Sequence, residues 1–190
     1  MKVVADRAGN GAIAAGTSAL GAIAVAVERG AVAGIRFGYS SEAQAIAALS
    51  RGADCGAVTT GVADSRHDDE HLAAHVLDRL QRYADGEPVD FSDLPLALDH
   101  LSTFQRRVVK ACRAIPAGQR RTYGQLAAAA GSPGAARAVG QVMAGNRMPL
   151  VVPCHRVIAA NGRLGGFSAP EGLAMKRRLL ALEMAVAEIG

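Results

Sequence analysis

The order of apolar and polar positions changes character along the chain. Ala22–Glu28 and Val32–Phe37 are β-compatible runs separated by Arg29-Gly30, a turn-forming pair, and together they predict a hairpin. Gly11–Thr17 is compatible with a third strand. Ser41 then starts a short helix through Leu49. Leu72, Val76 and Leu80, at four-residue spacing, mark a longer helix from Asp64 to Ala84 that ends before Gly86 and Pro88. Asp85–Pro95, rich in Asp, Gly and Pro, reads as a linker. Residues 1–95 are therefore expected to form a small α/β domain with its linker, and residues 96–190 a second, mainly helical one.

The second half opens on a helix whose apolar face is Phe104, Val108, Ala111, Cys112 and Ile115, so Cys112 belongs to a core stripe. Pro116-Ala-Gly118 ends it, and Thr122 is placed to cap a short helix from Tyr123 to Ala130. After Gly131-Ser-Pro-Gly134 comes another, from Ala135 to Ala144. Two short helices across a tight Gly/Pro turn have the helix-turn-helix pattern. In the second, Ala135, Ala138, Val139 and Val142 fall on one side as a core stripe. Pro133, Arg137, Gly140, Gln141 and Ala144 fall on the other, a surface bald except for one arginine. Small residues of this kind let a helix approach a nucleic acid closely, and a lone long cation can reach between bases.

Charge sharpens this picture. The net +4 conceals 8 Lys/Arg against 14 Asp/Glu in residues 1–99, and 13 against 3 in residues 100–190. A segregated basic half favours a polyanionic partner, nucleic acid ahead of an acidic small substrate. No apolar run approaches the length of a membrane span, and no basic leader precedes a cleavage pattern, so a soluble cytoplasmic protein without membrane contact is expected. Three widely spaced cysteines, Cys55, Cys112 and Cys154, suit a reducing compartment rather than a disulfide framework. Cys55 itself carries no readable role. His67, His71 and His75 recur at four-residue spacing beside the Leu72-Val76-Leu80 stripe; a half-exposed polar edge is the favoured reading, with no metal site assigned.

The stretch Pro149-Leu-Val-Val-Pro153-Cys154-His155-Arg156-Val157-Ile158 carries the candidate chemistry. Two β-branched runs flank the cysteine, which places Cys154 at a break between extended segments rather than inside a helix. An imidazole and a guanidinium beside a thiol would stabilise its thiolate, the nucleophilic form. A buried structural cysteine fits this stretch equally well.

Taken in order, Tyr123-Gly-Gln-Leu-Ala, Ala135-Ala-Arg137-Ala-Val-Gly140, Gly145-Asn146, Pro153-Cys154-His155-Arg156-Val157, Gly172-Leu-Ala and Leu179-Leu-Ala-Leu-Glu183 resemble the O6-alkylguanine-DNA alkyltransferases, also called methylated-DNA–protein-cysteine methyltransferases. The resemblance covers roughly residues 100–185, while residues 1–95 resemble the family's variable N-terminal domain, an RNase-H-like α/β unit with a small antiparallel sheet, only in length and element order. It implies a winged helix-turn-helix-like DNA-binding motif in the second domain, and a single-turnover repair reaction. An alkyl group passes irreversibly from O6 of guanine, with O4 of thymine a further candidate, to Cys154 of a protein bound to double-stranded DNA.

The resemblance also implies roles. His155 would activate Cys154 through a water molecule, Glu183 would hold the imidazole in its basic tautomer, Asn146 would brace the turn before the cysteine, and Tyr123 would serve the departing guanine. Arg137 would fill the gap left by the flipped base, with Ala135, Ala136, Gly140, Gln141 and Tyr123 along the DNA. Ser168 and the backbone at Val157 and Ile158 would read the guanine edge, with Pro149 and Phe167 completing the pocket. Glu183 suits its part, since its helical neighbours Leu179, Leu180, Val186 and Ala187 are all apolar. No cofactor is implied, and a monomer is expected, with cooperative assembly on DNA left open. Arg147, Phe167 and Ala169-Pro170 depart from common family choices and leave the range of adducts open. A non-catalytic binder of alkylated DNA and a cysteine hydrolase with a Cys154-His155 dyad are the competing readings.

Overall fold

The apolar runs near the start of the chain pair as strands. In the computed structural model, which describes residues 2–5, 11–52 and 64–189, β1 (Lys2–Ala5), β2 (Gly11–Ser18), β3 (Gly21–Glu28) and β4 (Ala31–Tyr39) form an antiparallel sheet in chain order. Helices α1 (Glu42–Gly52) and α2 (Asp64–Ala84) complete the pattern. The hairpin, the Gly11–Thr17 strand and both helices fall where the periodicity puts them; β1 was not foreseen.

Alternation along β2 and β3 gives each helix its own face of the sheet. Ile13, Ala15, Ala22 and Ala24 pack with Ala45 and Leu49 of α1. On the opposite face a Cβ on Gly16 would lie 2.9 Å from Gln81 Nε2 and 3.4 Å from Leu77 of α2. A sheet covered on both sides buries successive residues, and small side chains let both helices come close. This explains strands as rich in alanine as Gly11–Ser18, all six of whose first residues are buried.

The buried residues of α2 are Asp69, Ala73, Val76, Leu77, Leu80, Tyr83 and Ala84, whereas Leu72, expected in the stripe, is half-exposed. Asp85–Pro95 is not a free linker. Phe91 and Leu94 are buried, Phe91 lies edge-on to Tyr83 at 5.9 Å, and Arg79 makes a two-pronged salt bridge to Asp93 at 2.8 Å. The chain stays with this unit to Ala97, whose N–H donates to Val32, and the second unit begins at Leu98. Cys55 lies outside the described residues.

The second unit is mainly helical: α3 (Thr103–Arg113), β5 (Arg121–Thr122), α4 (Tyr123–Ala129), α5 (Ala136–Ala144), a 3₁₀ turn at Cys154–Arg156, β6 (Val157–Ile158) and α6 (Leu173–Ile189). Ser102 with Gln105 and Thr122 with Gln125 form capping boxes at the starts of α3 and α4, each satisfying two otherwise orphaned N–H groups. Val139 and Met143 are the buried residues of α5. The expected stripe through Ala138 and Val142 is thus rotated, and both of those residues are only half-buried.

One buried charge organises the first unit. The Asp69 carboxylate accepts the N–H of Arg29 at 3.0 Å and of Gly30 at 2.6 Å, in a hairpin turn where both residues have positive φ, 52° and 72°. Asp69→Ala leaves both donors without their anionic acceptor and should cost about 2–3 kcal/mol, with Asp69→Asn losing less; urea denaturation of the two variants checks the order.

Candidate active site

Chain geometry brings three separated stretches to one place. β5 and β6 pair in parallel, Arg121 with Val157 and Thr122 with Ile158. Thr122 is also the N-cap of α4, so this pairing sets Tyr123, the first residue of α4, beside the turn that carries Cys154.

The loop before the cysteine is tightly held. Asn146 spans it, donating from Nδ2 to the Val152 carbonyl at 2.8 Å and accepting the Met148 N–H on Oδ1 at 3.0 Å. Leu150 sits at φ 73°, a left-handed conformation that costs a non-glycine residue about 1–2 kcal/mol, and its side chain is buried. Val151 and Val152 are accordingly part of a turn rather than an extended run, and Cys154 opens a 3₁₀ turn. The geometry corrects the expectation of a simple break between two strands; only Val157-Ile158 is extended.

Cys154 is 7% exposed, and burial raises its pKa above the ordinary thiol value, against a hydrogen bond from Asn146 and the positive charge of Lys176, which lower it. The guanidinium of Arg156 does not supply that stabilisation. Its Nε and Nη2 grip Glu183 at 2.7–3.1 Å, and Nη1 donates to the Ile115 carbonyl. Cys154 is therefore a protonated thiol at neutral pH.

His155 is fully buried and its pKa is lowered, chiefly by desolvation, so the ring is neutral. Its Nε2 lies 2.8 Å from Glu183 Oε1. Burial acts to raise the Glu183 pKa, but hydrogen bonds from His155 and Arg156 outweigh it and hold the carboxyl at about 2. An ionised carboxylate accepts, so Nε2 carries the ring proton and Nδ1 presents a lone pair. Nδ1 is buried and has no hydrogen-bond partner among the described residues.

A cavity of about 300 Å³ opens at the thiol, lined by Tyr123, Gly140, Met143, Ala144, Cys154, Gly166, Phe167 and Ser168. Tyr123 closes against Gly165, where a Cβ would stand 2.6 Å from the phenolic oxygen, so only glycine admits the ring in this position. Of the residues expected in the pocket, Phe167 and Ser168 line it, whereas Pro149, Val157 and Ile158 are not among its walls. Val157 is fully buried, and its carbonyl accepts from Lys176 Nζ at 2.7 Å. Gly140 faces the cavity rather than the bald solvent side of α5; Ala135 and Ala136 are half-buried, and Arg137 and Gln141 are exposed.

Met143, Ala144 and Lys176 are site residues that the sequence reading missed. Lys176 is 1% exposed and has no carboxylate partner among the described residues. Its signal was present: Met175, Lys176, Leu179, Leu180 and Glu183 fall on one face of α6 and all are buried. Cys112, also buried, has its pKa raised by desolvation and is a core thiol.

A family profile described as "6-O-methylguanine DNA methyltransferase, DNA binding domain" matches residues 103–185. A methylated-DNA–protein-cysteine methyltransferase of Mycolicibacterium paratuberculosis is 48% identical over 110 residues, 58% of this chain and 64% of that protein. One from Methanopyrus kandleri is 48% identical over 113 residues, 59% of this chain and 82% of the relative. The chain thus matches less than two thirds of the mycobacterial relative's length. The crystal structure of Mycobacterium tuberculosis OGT in complex with DNA is similar over 92% of this chain and 93% of its own, with a TM-score of 0.69 and 31% identity.

Removing the carboxylate tests the ion cluster directly. Glu183→Ala leaves Arg156 and His155 buried without their acceptor and should destabilise the second unit by about 3–5 kcal/mol, read by chemical denaturation at neutral pH.

Proposed function

The chain belongs to the family of the 6-O-methylguanine DNA methyltransferases, and we propose that it repairs DNA by moving an alkyl group from O6 of guanine to Cys154. The observation that carries this reading is the buried Cys154, whose thiol faces a cavity beside a neutral His155 held by Glu183. In the proposed step the Cys154 proton passes to His155 Nδ1, carried across by a water molecule. The sulfur then attacks the alkyl carbon, the carbon–sulfur bond forms as the carbon–O6 bond breaks, and the electron pair stays on guanine. Tyr123, at the cavity wall, offers its hydroxyl to the departing base, whose negative charge is thereby less costly.

The fold supplies the setting for this chemistry. We read α4 and α5, joined through Gly131 and Gly134 at φ 71° and 87°, as a helix-turn-helix within a winged arrangement, and the first unit as RNase-H-like. Arg137 projects from α5 at an exposed position, with Gln141 one turn on, while Gly140 and Ala144 reach the cavity on the same helix. A helix that meets DNA on one face and walls the pocket on the next suits an extruded base, with Arg137 filling the gap. The basic residues of this half, 13 Lys/Arg against 3 Asp/Glu over residues 100–190, serve the phosphates. A thioether has no good leaving group, so each chain acts once, without cofactor, as a monomer on double-stranded DNA.

Incubation with duplex containing O6-methylguanine, followed by mass analysis of the Cys154 peptide, tests the reaction. One methyl per chain is expected, absent in Cys154→Ala, and an unchanged peptide in the unaltered protein sinks it. Lys176 generates a further prediction. Its charge lowers the Cys154 pKa, so Lys176→Met should move the pH–rate profile of alkyl transfer upward, the neutral-pH rate falling about tenfold for each unit of thiol pKa. Lys176→Met also leaves the buried Val157 carbonyl without its donor, which should cost about 1–3 kcal/mol of stability, and Lys176→Arg should keep part of the rate.

A further inference from the structure

The alkyl-transfer site makes no use of the histidine row on α2. His67 and His71 are exposed, one turn apart, with ring centroids 4.4 Å apart and planes at 85°. Their Nε2 atoms lie 3.1 Å from each other. Two ring nitrogens at that distance need something between them: a single shared proton, or a cation that takes both lone pairs. With metal–nitrogen bonds of about 2.0–2.1 Å, a 3.1 Å separation subtends about 95–102° at an ion placed on both nitrogens. That angle falls between the octahedral and tetrahedral values, so the nitrogen separation already suits chelation.

We propose that His67 and His71 form a two-imidazole binding site for a late first-row divalent metal ion, with solvent completing its coordination. Neutral imidazole is a ligand type these ions favour, and affinity rises toward nickel and copper, with zinc close behind. Each ring enters as its Nδ1–H tautomer, leaving the Nε2 pair for the metal. The third histidine stands apart: His75 Nε2 is 3.4 Å from Arg79, which is itself held by Asp93. Asp69 stands apart as well, because it is buried and bonded to the Arg29 and Gly30 N–H groups. Among the described residues no group of three or more metal-ligating side chains gathers, and the ligands they supply are the two imidazoles.

Position gives the site a structural consequence. Asp69 lies midway between the two ligands in sequence and on the opposite side of the helix. The same two turns of α2 that would carry the metal outward therefore hold the β3–β4 hairpin inward. Bridging residues four apart stiffens those turns, and a ligand that binds the folded form alone stabilises it by mass action.

Titration of the untagged, chelator-treated full chain with Ni(II), followed by calorimetry, tests the site. One ion per chain is expected. His67→Ala and His71→Ala should each weaken binding by tenfold or more, while His75→Ala leaves it unchanged. Because all three positions are exposed, the variants should fold as the parent does, which circular dichroism checks. In parallel, Ni(II) should raise the melting temperature of the parent and not of the His67→Ala/His71→Ala double variant. Binding that survives the double variant, or that falls as far in His75→Ala, overturns the assignment. Neither result bears on alkyl transfer, which is read separately at Cys154.

Discussion

The second unit depends on one buried carboxylate. Glu183 is 2% exposed, and a charge so placed costs several kcal/mol unless it is fully engaged. It is engaged on every side: Arg156 grips it through Nε and Nη2, His155 donates Nε2–H, and the Gly118 N–H lies at 3.4 Å. These contacts tie α6 to the 3₁₀ turn and to the bend after α3. They also settle the protonation of the turn. Arg156 cancels the carboxylate's charge, desolvation keeps His155 neutral, and the ring's second nitrogen is left basic.

The same arrangement redistributes the cations around Cys154. The guanidinium two residues after the cysteine has its charge engaged by Glu183. The positive charge that acts on the thiol comes from Lys176, two helical turns before Glu183 on the same buried face of α6. One helix thus supplies both the carboxylate that holds the imidazole and the cation that lowers the thiol pKa. The two-residue parallel pairing of β5 with β6 adds to the positioning, since it brings the start of α4, and hence Tyr123, beside the cysteine turn.

The first unit obeys a different constraint. Its sheet is covered by helices on both faces, so β2 and β3 are built from alanine, glycine and a few branched residues. Its buried charge, Asp69, closes a hairpin rather than a reaction site. Acidic residues predominate there and basic ones in the other unit.

Some of this was legible in the residues alone. The β3–β4 hairpin, the bounds of α2, the Thr122 cap and the pairing of two short helices followed from local signals: turn residues, four-residue spacing and capping chemistry act over a few positions and need no tertiary context. Glu183 stood out because a carboxylate among leucines demands a partner. Tertiary structure decided what local signals do not encode. It gave Arg156 to Glu183 and Lys176 to the thiol, because which cation serves which anion depends on how α6 lies against the turn. It turned Val151-Val152 into a held loop through Asn146, moved Gly140 from solvent to the cavity wall, and took Pro149, Val157 and Ile158 off that wall. Sequence determined most of the elements and the candidate groups; packing at long range determined which of those groups meet.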